Sequence, residues 1–233
     1  MPWTIVVAIG LCACTAPPLP SVPVRVAAAP GHTLVYPGES MQYQVSVHGL
    51  TLAHAQVAVG RPGWVDGHRA VIVRAHVSTN AVFDFLGQAT LDLVTTIDLA
   101  TGAPLHSVMD AAATVDGKHQ HEHKDRAWPA DNAGGHDVLS VAGAIRAWQS
   151  KPEEHLELSV GLSRHLVHVA MWDAGRDRIA KVPAIHYEGL VDDDLHVALW
   201  ISDDASRVPL RFELITKWGT LVAELTEYQP PQD

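Results

Sequence analysis

Cysteine is confined to the first fourteen residues of this chain, at Cys12 and Cys14. The rest of the sequence therefore has no thiols with which to form an internal disulfide or a cysteine-based zinc site. Charge is also scarce, since charged residues are 18% of the chain and the formal net charge is −10. An acidic surface repels nucleic-acid phosphates, and no cluster of Lys and Arg reverses this locally. The composition therefore argues against nucleic acid as a partner.

Long apolar runs are missing as well, apart from one at the N-terminus. Residues 3–13 are apolar except for Thr4, a run too short to span a bilayer but suited to the apolar region of a signal peptide. The run ends in Leu11-Cys12-Ala13-Cys14, which resembles the lipobox of bacterial lipoproteins, where the last Cys is acylated and the preceding peptide is removed. We expect residues 1–14 to be a lipoprotein-type leader and Cys14 to be the lipidation site. The alternative is a buried strand, and the leader also lacks the usual Lys or Arg.

The segment that follows, residues 15–35, contains five prolines separated mostly by small residues. Such a segment is extended and semi-rigid, so we predict a tether between a membrane and a single β-rich domain over residues 36–229. A lipid on Cys14 would make the membrane a partner. Thr15 stands where Asp often signals retention in the inner membrane, so the sequence favours the outer membrane, facing the periplasm.

Alternation of apolar and polar residues dominates from Tyr36 onwards, and it predicts antiparallel strands with one wetted face. Two apolar rows illustrate it: Met41, Tyr43, Val45 and Val47, and near the end of the chain Val208, Leu210, Phe212 and Leu214. Turn sequences separate about ten such strands. We predict an all-β fold with minor α, either a curved antiparallel sheet or an open barrel.

Two segments have helical rather than alternating patterns. Residues 80–87 predict a short helix that begins after Asn80 and stops at Gly87. Residues 137–149 predict a longer one, with Asp137 as the N-cap. Its apolar stripe consists of Val138, Val141, Ala142, Ile145 and Trp148. We expect this stripe to pack against the concave face of the sheet.

Four segments carry a resemblance to a known family. They read PGESMQY at 37–43, IDLATGAPL at 97–105, LWISDDASRVPL at 199–210 and WGTLVAEL at 218–225. Together they resemble the bacterial domain-of-unknown-function 3108 family over most of residues 36–228. The resemblance implies an exported, often lipidated, β-rich protein, and it brings no established activity. A looser likeness to periplasmic lipoprotein carriers, whose curved sheet holds acyl chains, rests on fold-level analogy.

Histidine is abundant, and three residues stand at alternate positions, His119, His121 and His123. On a strand they would share one face, with neighbours about 7 Å apart. Three imidazoles on one face could ligate zinc or copper. The alternative is a solvated face of a hairpin in a His-rich chain.

Tryptophan offers the other candidate site, because Trp148, Trp172 and Trp200 could line a pocket for an apolar ligand, although such residues often simply fill a core. No nucleophile stands out: the sequence around Ser163 lacks the final Gly of G-x-S-x-G. We expect an envelope-tethered, non-enzymatic binding or scaffold protein, possessing no cofactor and taking an apolar or lipid-like ligand. A metal-binding protein that uses the three histidines is the alternative.

Overall fold

The computed structural model of the chain describes residues 25–27, 33–80, 87–115, 117–129, 135–151, 153–162, 165–192, 194–216 and 219–231. The predicted leader with Cys14 lies outside these residues, as do residues 81–86 of the predicted short helix. Within the described part of the chain, no helix is long and apolar enough to cross a membrane.

The described residues form one sheet of fifteen strands and one helix, α1, which spans Val138–Ala147. The strands before the helix are β1 (Arg25–Ala27), β2 (Ser40–Val47), β3 (Leu50–Val59), β4 (Gly63–Val65), β5 (His68–Thr79), β6 (Gln88–Asp98), β7 (Pro104–Val115), β8 (Lys118–Ala127) and β9 (Gly135–His136). Those after it are β10 (Glu154–Leu162), β11 (His165–Ile179), β12 (Val182–Val191), β13 (Leu195–Ser202), β14 (Pro209–Thr216) and β15 (Gly219–Gln229).

The all-β class, the curved open sheet and the longer helix are confirmed, whereas the strand count exceeds the predicted ten. Three of the additional strands, β1, β4 and β9, have only two or three residues and are too short to show a period. β12 is buried on both faces over much of its length, so its sequence does not alternate either.

The strand order explains how distant parts of the chain come together. The path runs β1-β10-β11-β12-β13-β14-β15-β2-β3-β5-β6-β7-β8, with β4 beside β5 and β9 beside β10. Most neighbours in this path are consecutive strands that pair antiparallel. The last strand, β15, instead pairs with β2, near the start of the domain. The pairing of β15 with β2 therefore joins the two halves of the sheet.

The two ends of this sheet approach each other. Arg126, on β8, and Trp128, just after it, lie against Gly161 on β10. A Cβ atom at position 161 would stand 2.6 Å from Nη1 of Arg126 and 2.7 Å from Cη2 of Trp128, so a larger residue would not fit there. The sheet therefore curls until side chains of β8 reach β10.

Helix α1 begins at the predicted N-cap. The Asp137 carboxylate accepts the Ser140 backbone N–H at 2.7 Å, and the Ser140 hydroxyl accepts the Asp137 N–H at 2.9 Å. This reciprocal pair satisfies amides that the first turn leaves unbonded. The buried stripe differs from the predicted one, because Val138 and Ala142 are exposed while Ile145 is buried.

The helix packs on one face of the sheet, which we call the inner face. Ala144, Ile145 and the following Trp148 contact the largest apolar cluster, on β10 to β13. Its other buried members are Leu156, Leu158, Val160, Val169, Met171, Ile185, Tyr187, Leu199 and Ile201. Leu139 packs against a second cluster on β3, β5 and β6 that contains Val71 and Ile97. The helix thus bridges both halves of the sheet.

The N-terminal segment also enters the fold. β1, which lies within the predicted tether, pairs with β10 in parallel, with Arg25 opposite Glu154. Leu34 donates its N–H to the Gly143 carbonyl of α1 at 3.1 Å. A Cβ at Gly102 would lie 2.7 Å from the Thr33 Cβ, so this turn leaves no room for a side chain. Residues 25–27 and 33–35 are therefore docked on the domain.

Candidate functional site

The strand register shows which side chains share the inner face, because residues paired across strands point the same way. Met109 pairs with Leu93, Leu93 with Ala75, and Ala75 with Val57, which packs on the cluster that holds Leu139 of the helix. On the other half of the sheet, Phe212 pairs with Leu199, a member of the helix-facing cluster. Both halves therefore turn apolar rows inward.

Helix α1 covers only part of the inner face. The part beyond the helix, which we call the open inner face, is almost wholly apolar. It comprises Val45, Val47, Ala53, Ala55, Val77, Leu91, Leu93, Met109, Ala111, Val167, Val191, Leu195, Phe212, Leu214, Leu221 and Ala223. None of these residues is charged.

Solvent reaches the open inner face. Nearly all of its residues are half-buried, and Phe212 is 37% exposed. Leu199, its cross-strand partner nearer the helix, is only 9% exposed. A contiguous apolar surface of this extent is unusual in contact with water and typically marks a binding site. The arrangement is a concave apolar wall, lined by aliphatic side chains, Met109 and one aromatic ring.

Buried polar contacts hold the helix-covered end closed. The Arg146 guanidinium donates to both carboxylate oxygens of Glu39, at 2.6 and 3.0 Å, with both side chains almost wholly buried. Arg207 donates to the backbone carbonyls of Arg146 and Trp148 and, at 2.8 Å, to the Tyr187 hydroxyl. These bonds fix the last turn of α1 to the sheet, so the helix stays packed on this end of the inner face.

The three predicted pocket tryptophans do not share one surface. Trp148 follows α1 on the inner face and its ring packs 5.1 Å from that of Tyr187. Trp172 and Trp200 alternate with inner-face residues of β11 and β13, so both point to the outer face. Trp200 stacks on His186 at 4.3 Å and donates from Nε1 to Asp177 at 3.0 Å. The hydrogen bond to Trp200 contributes to the lowered pKa of Asp177, after a stronger one from the Arg178 backbone N–H.

The three predicted metal-ligating histidines lie on one exposed face of β8, the outer one, as alternation requires. His119 bonds Thr114 at 2.8 Å, whereas His123 bonds Asp110 at 2.6 Å and His121 lies 3.7 Å from that carboxylate. The hydrogen bond that the Asp110 carboxylate accepts from His123 raises the pKa of His123. Among the residues that the structure describes, no group of three His, Cys, Asp or Glu side chains is arranged to hold a metal ion.

Val45, Val47, Phe212 and Leu214 stand in the two apolar rows that the sequence pattern predicts, whereas the rows of β6 and β7 were not predicted. Their contribution, from Leu91, Leu93, Met109 and Ala111, is visible as alternation in QATLDLVTTI and SVMDAAA. Which row faces inward could be read only once the strands were placed beside each other.

Comparison with known proteins supports the architecture. No protein-family model matches the chain, and no curated protein shows significant sequence similarity to it. A β-barrel-like protein of domain of unknown function DUF1849 from Brucella abortus superposes with a TM-score of 0.51 at 9% identity, covering 86% of this chain and all (100%) of that one. This likeness shows the fold alone.

Two further solved structures align less closely. The lipoprotein LppX from Mycobacterium tuberculosis has a TM-score of 0.30 at 11% identity, over 83% of this chain and 88% of that one. A protein described as exported, with a YmcC-like fold, from Bacteroides fragilis has a TM-score of 0.33 at 9% identity, over 84% and 99%.

Proposed function

We propose that this chain is a lipid-anchored protein of the bacterial cell envelope that binds an apolar, lipid-like ligand on the open inner face. The observation that carries the proposal is the concave wall of uncharged side chains beyond helix α1, half-buried and reaching 37% exposure at Phe212. Removing such a surface from water is favourable in proportion to its area, about 25 cal/mol per Å². An acyl chain lying along it would gain this free energy.

The fold provides a rigid wall and one accessible side. The Glu39–Arg146 pair and the bonds from Arg207 hold α1 against the sheet, so the helix fills one end of the concavity. Binding sites for apolar ligands are typically concave and largely preformed. We propose a binding or scaffold role rather than a catalytic one, because the prominent feature is an apolar surface and not a cluster of titratable groups.

The anchoring part of the proposal rests on the sequence. The proposed leader, residues 1–14, would leave a lipidated Cys14 joined to the domain through the Pro-rich tether, and we propose the periplasmic face of the outer membrane as its location. Because β1 pairs with Glu154–Leu156 of β10, at the helix-covered end of that strand, the tether would leave the domain there. The open inner face would then point away from the anchor.

Native mass spectrometry of the full chain extracted from membranes tests the binding function. We expect a fraction of the protein to carry an additional mass equal to that of a lipid. Phe212→Gln should reduce this fraction, because it places an amide in the apolar wall. Ile215→Gln is the matched control: Ile215 lies on the same strand, is 41% exposed and points to the outer face. Equal occupancy in both variants, or no bound lipid in the unaltered chain, would contradict the proposal.

A further inference from the structure

β8 differs from the other strands that line the inner face. Its inward residues are Lys118, Gln120, Glu122, Lys124 and Arg126, which pair in that order with Val115, Ala113, Ala111, Met109 and Ser107 of β7. The alternate residues of β8 are the exposed histidines of the outer face and Asp125. The inner row of β8 is therefore polar throughout, whereas the open inner face that it adjoins carries no charge.

The polar row is partly shielded from water and has a net positive charge. Lys124 and Glu122 are 22% and 29% exposed and form an ion pair, with Nζ 2.6 Å from Oε1. The Arg126 guanidinium stacks over the Trp128 ring, 3.8 Å from its centre. Three cations, Lys118, Lys124 and Arg126, against the one carboxylate of Glu122 give this row a net charge of +2 in a chain whose formal net charge is −10.

We propose that the ligand is an amphiphile with an anionic head group, whose acyl chain lies on the open inner face and whose head group is bound by Lys124 and Arg126; this rests on the proposed function. We infer an anionic head group because it would complement the net positive charge of the inner row of β8. An uncharged wall cannot solvate a carboxylate or phosphate, so the head group must remain in water or lie against β8. Charge-assisted hydrogen bonds from the two cations favour the second position.

Protection of a sheet edge is the other reason for charges on β8, because charged side chains on an edge strand discourage pairing with another chain. That role is independent of the sign of the charge and gives no preference among ligands. The two explanations therefore differ in what they predict for anionic and neutral lipids.

The test is displacement of the neutral dye Nile red from the purified full chain by palmitic acid and by palmityl alcohol at neutral pH. We expect the acid to bind about tenfold more tightly than the alcohol or better. Lys124→Gln should remove most of this preference and leave binding of the alcohol unchanged. Glu122→Gln should strengthen binding of the acid, because a carboxylate that competes for Lys124 and repels the anion is removed. In Lys124→Gln, the Glu122 carboxylate could itself repel the acid. The double variant Glu122→Gln/Lys124→Gln lacks this carboxylate and should still show little preference, because the preference comes from Lys124.

Arg74→Gln is the matched control, since Arg74 is an exposed cation on the outer face of β5. It should leave the preference for the acid over the alcohol intact.

A second pair of ligands distinguishes a phosphate head group from a carboxylate. Lysophosphatidylglycerol replaces palmitic acid, with lysophosphatidylcholine as the zwitterionic counterpart, and preference for either anion supports the proposal. Equal displacement by acid and alcohol, insensitive to Lys124, would overturn the head-group site while leaving the binding function intact. No displacement by any amphiphile would instead contradict the binding function itself.

Discussion

Leu210 and Phe212 lie two residues apart on β14, and their surroundings differ. Leu210 is buried in the cluster that contains Met41, Val208 and Trp200, whereas Phe212 belongs to the open inner face. Leu210→Ala should lower the free energy of unfolding by about 2–5 kcal/mol, because it leaves a cavity in packed surroundings. Phe212→Ala should cost clearly less, although its side chain is larger. Urea denaturation of both variants measures the free energy of unfolding. A greater decrease for Phe212→Ala would show that the Phe212 ring is packed in a core rather than exposed on the open inner face.

His136 is expected to make the stability of the fold depend on pH. Burial lowers its pKa from the ordinary value of 6.5, against the opposing charge of Asp137, and among the described residues its Nδ1 has no hydrogen-bond partner. As the pH falls below about 6.5, His136 therefore binds a proton more readily in the unfolded chain than in the folded chain. Stability should decrease between neutral and mildly acidic pH. The lowered pKa of the half-buried His186 acts in the same direction, while the raised pKa of His123 opposes it.

His136→Asn should flatten this pH dependence. Urea midpoints of the variant and the unaltered chain at pH about 7.5 and about 5.5 provide the measurement. His54→Asn serves as the control, because His54 is exposed. A slope unaffected by loss of His136 would mean that other groups carry the acid sensitivity.

At the scale of elements, the N-terminus of α1 is the point where helix and sheet are joined. The Asp137 carboxylate caps the helix and also accepts hydrogen bonds from Thr95 and, at 2.7 Å, from Ser107 on the inner face. Asp137→Ala should lower the free energy of unfolding by at least about 1–2 kcal/mol, the upper range for a lost N-cap. The buried hydroxyl of Thr95 and the half-buried hydroxyl of Ser107 lose their acceptor as well. Val138→Ala, one residue along and 44% exposed, should change stability little. If both variants shift the urea midpoint equally, the cap is not what holds the helix.

The elements also show how far the sequence could be interpreted. Alternation predicted the inward row of β2, and Asp137 predicted the start of α1, because both signals are local. The exposure of Val138 and Ala142 could not be anticipated, since it depends on which side of α1 the sheet covers, and that side carries Leu139, Ala144 and Ile145. The face of the sheet on which Trp172 and Trp200 lie could not be predicted either, because a Trp is apolar enough for both faces. Only their buried neighbours in β11 and β13 show which face each occupies.

At the scale of the whole molecule, the open inner face exists only because β15 pairs with β2 and the sheet curls until β8 reaches β10. Each contributing strand supplies only one or two apolar residues, which would be unremarkable alone. The sequence could therefore predict a curved sheet, but not which side chains form the wall.

The proposed attachment to the membrane also belongs to the scale of the whole chain. If Cys14 carries the lipid, Cys14→Ser should move the protein from the membrane fraction to the soluble fraction, while Cys12→Ser should leave it in the membrane fraction. Fractionation of cells followed by detection of the protein measures this. Retention of the Cys14 variant in the membrane fraction would show that another part of the chain holds it there.

Photo-crosslinking tests the central claim most directly, because it reports where a lipid lies. The full chain would be irradiated with a diazirine-bearing palmitic acid, and the modified residues would be located by peptide mass spectrometry. We expect adducts on inner-face residues such as Met109 and Phe212, competed away by unlabelled palmitic acid, and few on the exposed outer-face residues Ile72 and Ile215. Adducts spread equally over both faces, or insensitive to the competitor, would contradict binding at the open inner face.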